Sequence, residues 1–308
     1  MTTHVSICIV GFRNTDDIVQ CFEALEKTTH HDFEVIICEN GGPKAFAELT
    51  AVIPETLRGG QVVRAVLADS NLGFPGGVNR CLAETPDADA WWVLNPDTQP
   101  LPDALEAMVR RLEVGDCDAV GCTILASTGL IGSYGGRWDP WLARSVSLGM
   151  GKPATDPVDA AVIEATQTYI HGAAMLLNRR FLEVVGPMRA DYFIYCEEVE
   201  WCWRARKRGV KLGFAPNVYV VHHQGTTTGA GGAVNGWGRL ATYLGERNRI
   251  LMVRDSTPNR LPVAAVSALL LILRRYIKAG AWRQLGWGWS GWVDGLQNRR
   301  GPPPWLPA

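Results

Sequence analysis

The sequence predicts an α/β protein built on a doubly wound, mostly parallel sheet. Over about the first 120 residues, short β-branched runs alternate with segments of helical periodicity, and each run closes in a polar or Gly-rich turn. Val5 to Val10 is the first expected strand, ending in Gly11-Phe12-Arg13-Asn14. Asp16 to Lys27 then carries Ile18, Phe22 and Leu25 at helical spacing, with Thr15 as its cap. Phe33 to Cys38 is the second strand, closed by Glu39-Asn40-Gly41-Gly42, and a helix is expected over Ala45 to Ile53. Gln61 to Leu67 is the third strand, and a helix starts at Gly76 after a Gly-rich turn. Ala90 to Leu94 is the fourth, stopped by Asn95-Pro96-Asp97 before a helix over Pro102 to Leu112. Ligands of such sheets bind at the carboxyl ends of the strands, where these turns fall.

The rest of the chain is less regular. Residues 121–170 are rich in Gly, Trp and Pro, as expected of loops and sheet edges that shape one side of a cleft. Tyr169 to Leu177 is a further apolar strand, and Glu197 to Gly209 reads as a helix with a Gly stop. Lys211 to Phe214 and Val218 to Val221 are short strands before His222-His223, Gln224-Gly225 and three threonines.

Composition narrows the class. With 47% hydrophobic and 20% charged residues among 308, the chain is a folded globular protein rather than a disordered one. Its net charge of −1 hides an asymmetry: from Arg239 onward there are 11 Lys+Arg against 3 Asp+Glu, a balance of +8 that leaves −9 for residues 1–238. The basic end is the part expected to meet an anionic surface. Eight cysteines without a C-x-x-C pair or metal-finger spacing read as core residues of a reducing compartment. No leader pattern opens the chain, and the apolar run Leu261 to Leu273 falls short of the roughly 20 residues that span a bilayer. A cytoplasmic protein with peripheral membrane contact is expected.

Four polar clusters carry candidate chemistry. Asn95-Pro96-Asp97-Thr98 ends a strand, so Asp97 is either an oxygen ligand for Mg²⁺ or Mn²⁺ at the ligand edge or a turn residue. Glu197-Glu198 beside Trp201 and Trp203 is either a pair in which one carboxylate has a raised pKa, as a general base needs, or an acidic first helical turn. His222 ends a strand and is either a cation ligand or structural. The loop Asn71-x-Gly73-Phe74-x-Gly76-Gly77-x-Asn79 can bring backbone N–H groups to a phosphate or sugar. It matches neither the Lys-Ser/Thr phosphate loop nor the G-x-G-x-x-G fingerprint, which argues against an NTPase and a dehydrogenase.

Taken in order, these pieces resemble family 2 of the inverting glycosyltransferases, with the GT-A fold, closest to a rhamnosyltransferase-like branch. The resemblance covers about residues 4–300. It implies a nucleotide-sugar-binding half over residues 1–120, an acceptor and base half over 121–238, and a helical, basic, Trp-rich extension over 239–308. It implies that Glu39, where the family usually has Asp, holds the nucleoside with Arg13 and Asn40. It also implies donor contacts from Asn71, Gly73, Asn79 and Asn95, and Mg²⁺ or Mn²⁺ on Asp97 and His222. In the segment Phe193 to Arg204 the second acidic residue, Glu198, takes the place of the base. His171, Gly172, Glu197 and Trp201 are then expected around the acceptor. The implied reaction moves a sugar from a dTDP- or UDP-linked donor to a saccharide or lipid-linked acceptor, with no nucleic-acid partner, in cell-surface polysaccharide synthesis. The Q-x-x-R-W segment of processive synthases is absent, so one sugar per acceptor is expected. A nucleotidyltransferase of similar sheet and a non-catalytic nucleotide-sugar-binding protein are the alternatives, against which stand the missing N-terminal glycines and the intact Asp97, Glu198 and His222.

In the extension, Trp282, Leu285, Trp289, Trp292 and Leu296 fall on one helical stripe with Arg283, Arg299 and Arg300 nearby. This suits an interfacial helix on the inner face of the cytoplasmic membrane or a homodimer contact. Gly286, Gly288, Gly291 and Gly295 each cost such a helix about 1 kcal/mol and count against its forming alone.

Overall fold

The computed structural model describes residues 2–223 and 233–306, so Gln224, Gly225 and the threonines after them lie outside the described residues. The first half follows the expected alternation: β1 (Val5–Gly11), α1 (Thr15–Leu25), β2 (Phe33–Glu39), α2 (Pro43–Thr50), β3 (Val63–Leu67), α3 (Gly73–Glu84), β4 (Ala90–Leu94), β5 (Thr98–Pro100) and α4 (Ala104–Glu113). The second half runs β6 (Ala119–Ala126), β7 (Ile131–Ser133), β8 (Gly136–Asp139), β9 (Arg144–Ser147), α5 (Ala160–Thr166), β10 (Ala174–Asn178), α6 (Arg179–Val185), α7 (Glu197–Lys207) and β11 (Leu212–His222). Helices α8 (Arg239–Ser256), α9 (Leu261–Lys278) and α10 (Trp282–Leu296) complete it.

The main sheet has the order β3-β2-β1-β4-β10-β6-β11-β5, with β7 beside β6. β3, β2, β1 and β4 are mutually parallel. β10 is antiparallel to both of its neighbours, β4 and β6, and β5 is antiparallel to β11. The expected strand over Tyr169 to Leu177 is thus shorter, and residues 171–173 form a turn ahead of it. Lys211 to Phe214 and Val218 to Val221 are two ends of one strand, interrupted by a register shift with Asn217 at φ 59°.

Alternation along the strands separates two cores. Ile7, Ile9, Val35, Ile37, Trp92 and Leu94 face α1 and α4, while Val10, Val93, Met175 and Leu177 face α7, α8 and α9. These side chains are almost wholly buried, each contributing about 1.5–3 kcal/mol relative to exposure. All eight cysteines are free thiols, seven of them buried.

The glycines of α10 have a packing reason. A Cβ on Gly291 would lie 2.2 Å from Tyr243 O, and one on Gly295 2.7 Å from Arg247 O, both backbone atoms of α8. One on Gly288 would meet Tyr276 and Glu246 at 3.1 and 3.3 Å. Only a smooth glycine ridge lets α10 lie this close to α8, so tertiary packing overrides the propensity cost. The tryptophan stripe divides: Trp292 donates to Ala265 O at 3.0 Å and Leu296 packs on the core, while Trp282 and Trp289 stay exposed. No described helix is long and apolar enough to cross a membrane.

Candidate active site

The parallel strands deliver the expected turns to one edge. β1 ends at Gly11 opposite Glu39 of β2, and β4 ends beside β1, so Phe12, Asn40 and Asn95 emerge together. β5 then turns back and pairs with β11, placing Thr98 opposite His222. His223 N donates to Asp97 O at 3.0 Å, locking the two chain segments together. That pairing brings His222 Nε2 to 3.1 Å from Asp97 Oδ1 and 3.4 Å from Asn95 Nδ2, although the residues are more than 120 positions apart.

This corner fits a divalent cation in one specific sense. His222 Nδ1 and Asn95 Oδ1 are buried without a hydrogen-bond partner among the described residues, and such atoms call for an explanation. A carboxylate, an imidazole and an amide oxygen suit Mg²⁺ or Mn²⁺, which take their remaining ligands from phosphate and water. Among the described residues no group of three or more His, Cys, Asp or Glu side chains could hold a metal. Asp97 and His222 would thus hold such an ion only together with oxygen ligands from elsewhere. His171 borders the corner, its ring edge-on to His222 at 5.7 Å. Burial, then the neighbouring His222, pushes its pKa down to about 3, so it is a neutral imidazole. Ala173 N donates to His171 Nδ1 at 3.1 Å, which puts the ring proton on Nε2.

On the donor side, Asn40 Nδ2 donates to Gly73 O at 3.0 Å and Asn40 Oδ1 accepts from Leu72 N, tying the loop before α3 to the end of β2. Asn71 Oδ1 accepts from Gly73 N within that loop. Glu39 is fully buried, and its Oε1 accepts from Arg13 N and Gly41 N. Burial raises its pKa against those two hydrogen bonds, and Oε2 has no partner among the described residues. Arg13 Nε donates to Gly41 O. Glu39 and Arg13, expected at the nucleoside, instead join the turn after β1 to the turn after β2, while Phe12, Asn40, Asn71 and Gly73 line the cleft.

The acidic pair stands at the first turn of α7, after an unusual run of backbone. Phe193, Tyr195 and Cys196 have φ of 69°, 73° and 67°, left-handed values that cost non-glycine residues of order 1–3 kcal/mol each. Glu197 is buried, and both burial and the adjacent Glu198 raise its pKa well above the carboxylate range. Burial also raises Glu198, held back by the N–H groups of Glu198 and Val199. Burial thus raises both carboxyls, and the like charge of Glu198 raises Glu197 further. Gly172 lies beneath Glu198, whose Cβ and Cγ would sit 3.5 Å from a Cβ there.

A cleft of about 430 Å³ joins these parts, lined by Asn95, Asp97, His171, Gly172, His222, Glu197 and Glu198. Two further expected residues, beyond Arg13 and Glu39, do not line the cleft. Asn79 makes a two-way hydrogen bond with Met188 N and O, fastening α3 to the segment before α7. Trp201 is fully buried against Phe181 and donates to Gly186 O, because its position on α7 turns it into the core. Leu240 and Leu306 of the extension also line the cleft, which the sequence did not signal. A wider groove of about 720 Å³, lined by Arg111, Trp203, Arg206, Lys207 and Lys211, includes none of the expected site residues.

Comparison with known proteins places the chain in a family. Residues 6–184 match the model of glycosyl transferase family 2. The chain is 21% identical over 316 residues to the low-salt glycan biosynthesis hexosyltransferase Agl10 of Haloferax volcanii, covering 98% of this chain and 94% of that one. It is 23% identical over 260 residues to the N-acetylglucosaminyl-diphospho-decaprenol L-rhamnosyltransferase of Mycobacterium tuberculosis, covering 74% and 79%. Among solved structures, GalNAc-T7 with UDP, GalNAc and Mn²⁺ superposes with a TM-score of 0.63 at 14% identity. That match covers 82% of this chain, which spans 48% of GalNAc-T7. The mannosyltransferase PcManGT of Pyrobaculum calidifontis, in complex with GDP-Man and Mn²⁺, gives 0.56 at 12% identity over 97% of this chain and 88% of its own. These likenesses establish the GT-A fold, and the expected nucleotidyltransferase and non-catalytic alternatives fall away. With the family model matched across more than half its length, the chain belongs to glycosyl transferase family 2 and is a glycosyltransferase.

Proposed function

We propose that this enzyme transfers a hexose, with rhamnose the favoured case, from a dTDP- or UDP-linked donor to a hydroxyl of a lipid-linked saccharide, inverting the anomeric centre. One observation carries the reading: Glu198 and the Asp97–His222 corner open onto the same cleft. The name of the mycobacterial relative gives it a lipid-linked saccharide acceptor and a rhamnosyl group, and both structural neighbours hold a nucleotide with Mn²⁺.

The reaction is a single displacement. Phe12, Asn40, Asn71 and Gly73 form the wall for the nucleoside and its diphosphate. Asp97, His222 and Asn95 would hold the divalent cation, which, when bound, neutralises charge on the departing diphosphate. Glu198 accepts the proton of the acceptor hydroxyl as its oxygen bonds to the anomeric carbon and the bond to the diphosphate breaks. Glu197 beside it is raised by burial and by the Glu198 charge, which favours its protonated form over that of a second carboxylate.

The α9–α10 face is read as the contact with an anionic bilayer at the inner face of the cytoplasmic membrane. Val263, Val266, Leu270 and Ile277 form an exposed stripe on α9, and Trp282 is 66% exposed at the start of α10. From Leu261 to Val293 the sequence holds no Asp or Glu, yet it holds Arg274, Lys278 and Arg283, besides Arg275, which pairs with Glu246 of α8. An apolar stripe edged with cations complements anionic head groups, whereas a second copy of the same face would repel it.

The test is release of nucleoside diphosphate from dTDP-L-rhamnose and from UDP-hexoses with Mn²⁺ and a polyprenyl-diphospho-saccharide. Acceptor-dependent release is expected, and Glu198→Gln should lower turnover about 10²–10⁴-fold while UDP or dTDP still binds. Near-normal turnover by Glu198→Gln would reject the base assignment.

A further inference from the structure

The turn that presents Glu198 is held from the C-terminal extension. Asn248, in the middle of α8, has no exposed surface. Its Nδ2 lies 2.9 Å from Tyr192 O, 2.7 Å from Ile194 O and 2.8 Å from Tyr195 O, spanning the left-handed run. Arg247, also buried, donates through Nε to Asn248 Oδ1 at 2.8 Å, and through its guanidinium to Tyr192 O and Gly301 O. The remaining carbonyl, Phe193 O, accepts from Phe74 N at 2.8 Å. Every carbonyl from Tyr192 to Tyr195 thus meets a fixed donor. Backbone in a sparsely populated conformation persists only where its surroundings over-determine it, and here a single amide supplies donors for much of the run.

A helix interior is an unfavourable place for a polar amide unless its hydrogen bonds are used. Arg247 settles the orientation of this one: its Nε–H takes the amide oxygen, which turns the NH₂ toward the turn. We propose that Asn248, oriented by Arg247, is a positioning residue for the general base, fixing the turn at residues 193–196 so that α7 presents Glu198 to the acceptor hydroxyl. This rests on the reading of Glu198 as the base. It makes the extension part of the catalytic apparatus. Asn248 itself touches no reacting atom: it does not line the cleft.

The test compares Asn248→Asp, Glu198→Gln and the double variant with the wild type. Asp keeps the shape and the acceptor for Arg247 but loses both N–H donors. Turnover with dTDP-L-rhamnose and N-acetylglucosaminyl-diphospho-decaprenol, the Kd for dTDP with Mn²⁺, and the urea midpoint are measured for each. Asn248→Asp should lower kcat about 10–100-fold, as loss of orienting partners does elsewhere, with the dTDP Kd within about threefold. The acid limb of its kcat–pH profile should also shift. The double variant should be no slower than Glu198→Gln alone, because both changes act through one group. Multiplying losses, or full turnover by Asn248→Asp while Glu198→Gln is inactive, overturns the positioning role and leaves the base intact. Full turnover by Glu198→Gln removes the base reading itself. If Asn248→Asp does not fold, Asn248→Ser, which keeps one donor, takes its place. Failure of both to fold overturns the proposal in favour of a purely architectural residue.

Discussion

Gly291→Ala and Gly286→Ala make the same chemical change five residues apart on α10, and the structure predicts opposite signs. In a free helix both would stabilise by about 1 kcal/mol, since Ala is the better helix former. At Gly286 no atom outside the helix's own backbone lies within 4 Å of the added Cβ among the described residues, so that gain should survive. At Gly291 the Cβ would stand 2.2 Å from Tyr243 O and 3.0 Å from Tyr243 C. Ordinary heavy-atom contact is about 3.5 Å, so α10 must move roughly 1 Å from α8, and neither backbone can yield locally. Overpacking of this kind costs about 1–3 kcal/mol, which outweighs the propensity gain. In urea unfolding at neutral pH, Gly291→Ala should lower the midpoint and Gly286→Ala raise it slightly, with unchanged m-values. Equal shifts in the same direction for the two variants would refute the close-packed glycine ridge.

Two further outcomes concern charge. Turnover should rise with pH through an acid limb above the ordinary carboxylate range, since burial raises Glu198 and the base must be ionised. Glu197→Gln should leave that limb in place, because Glu198 owes its shift to burial. By linkage, a carboxyl whose folded pKa exceeds its unfolded one loses stability as pH rises between the two, so Glu197→Gln should be more stable than the wild type at neutral pH and equal to it in acid, as scanning calorimetry would show. On the α9 face, Val266→Glu with Leu270→Glu should weaken co-sedimentation with phosphatidylglycerol vesicles at least about tenfold without changing the unfolding midpoint, since each buried aliphatic side chain is worth about 1.5–3 kcal/mol. Unchanged sedimentation would rule out that contact.

What the sequence disclosed follows from what is local. The βα repeats of the first half were legible because strand alternation and helical spacing are local properties, and Asp97, Glu198 and His222 could be singled out because each sits where a strand ends or a helix begins. Pairing is not local. The insertion of antiparallel β10 between β4 and β6, and the three-residue β5 that brings Asp97 to His222, depend on partners about 80 and 120 residues away. Side-chain direction was equally hidden. Trp201 lies one helical turn after Glu197 and Glu198 yet packs into the core against Phe181 instead of lining the cleft, and Asn79 reaches the backbone at Met188 rather than the cleft. Asn248 gave no signal, because an amide inside a helix declares its purpose only when the carbonyls around it are known.

The contact between Gly73 and Phe193 sets a limit on how this enzyme can be recombined. A Cβ at residue 73 would fall 2.2 Å from Phe193 O, and φ there is +69°, so bare backbone at the start of α3 is stitched to bare backbone just before α7. A chimera made by exchanging residues 121–238 with a relative would cut across that stitch and strand α8 from the turn it clasps. Grafts intended to change which alcohol is glycosylated should carry Gly73, Phe74, Arg247 and Asn248 along with the exchanged segment.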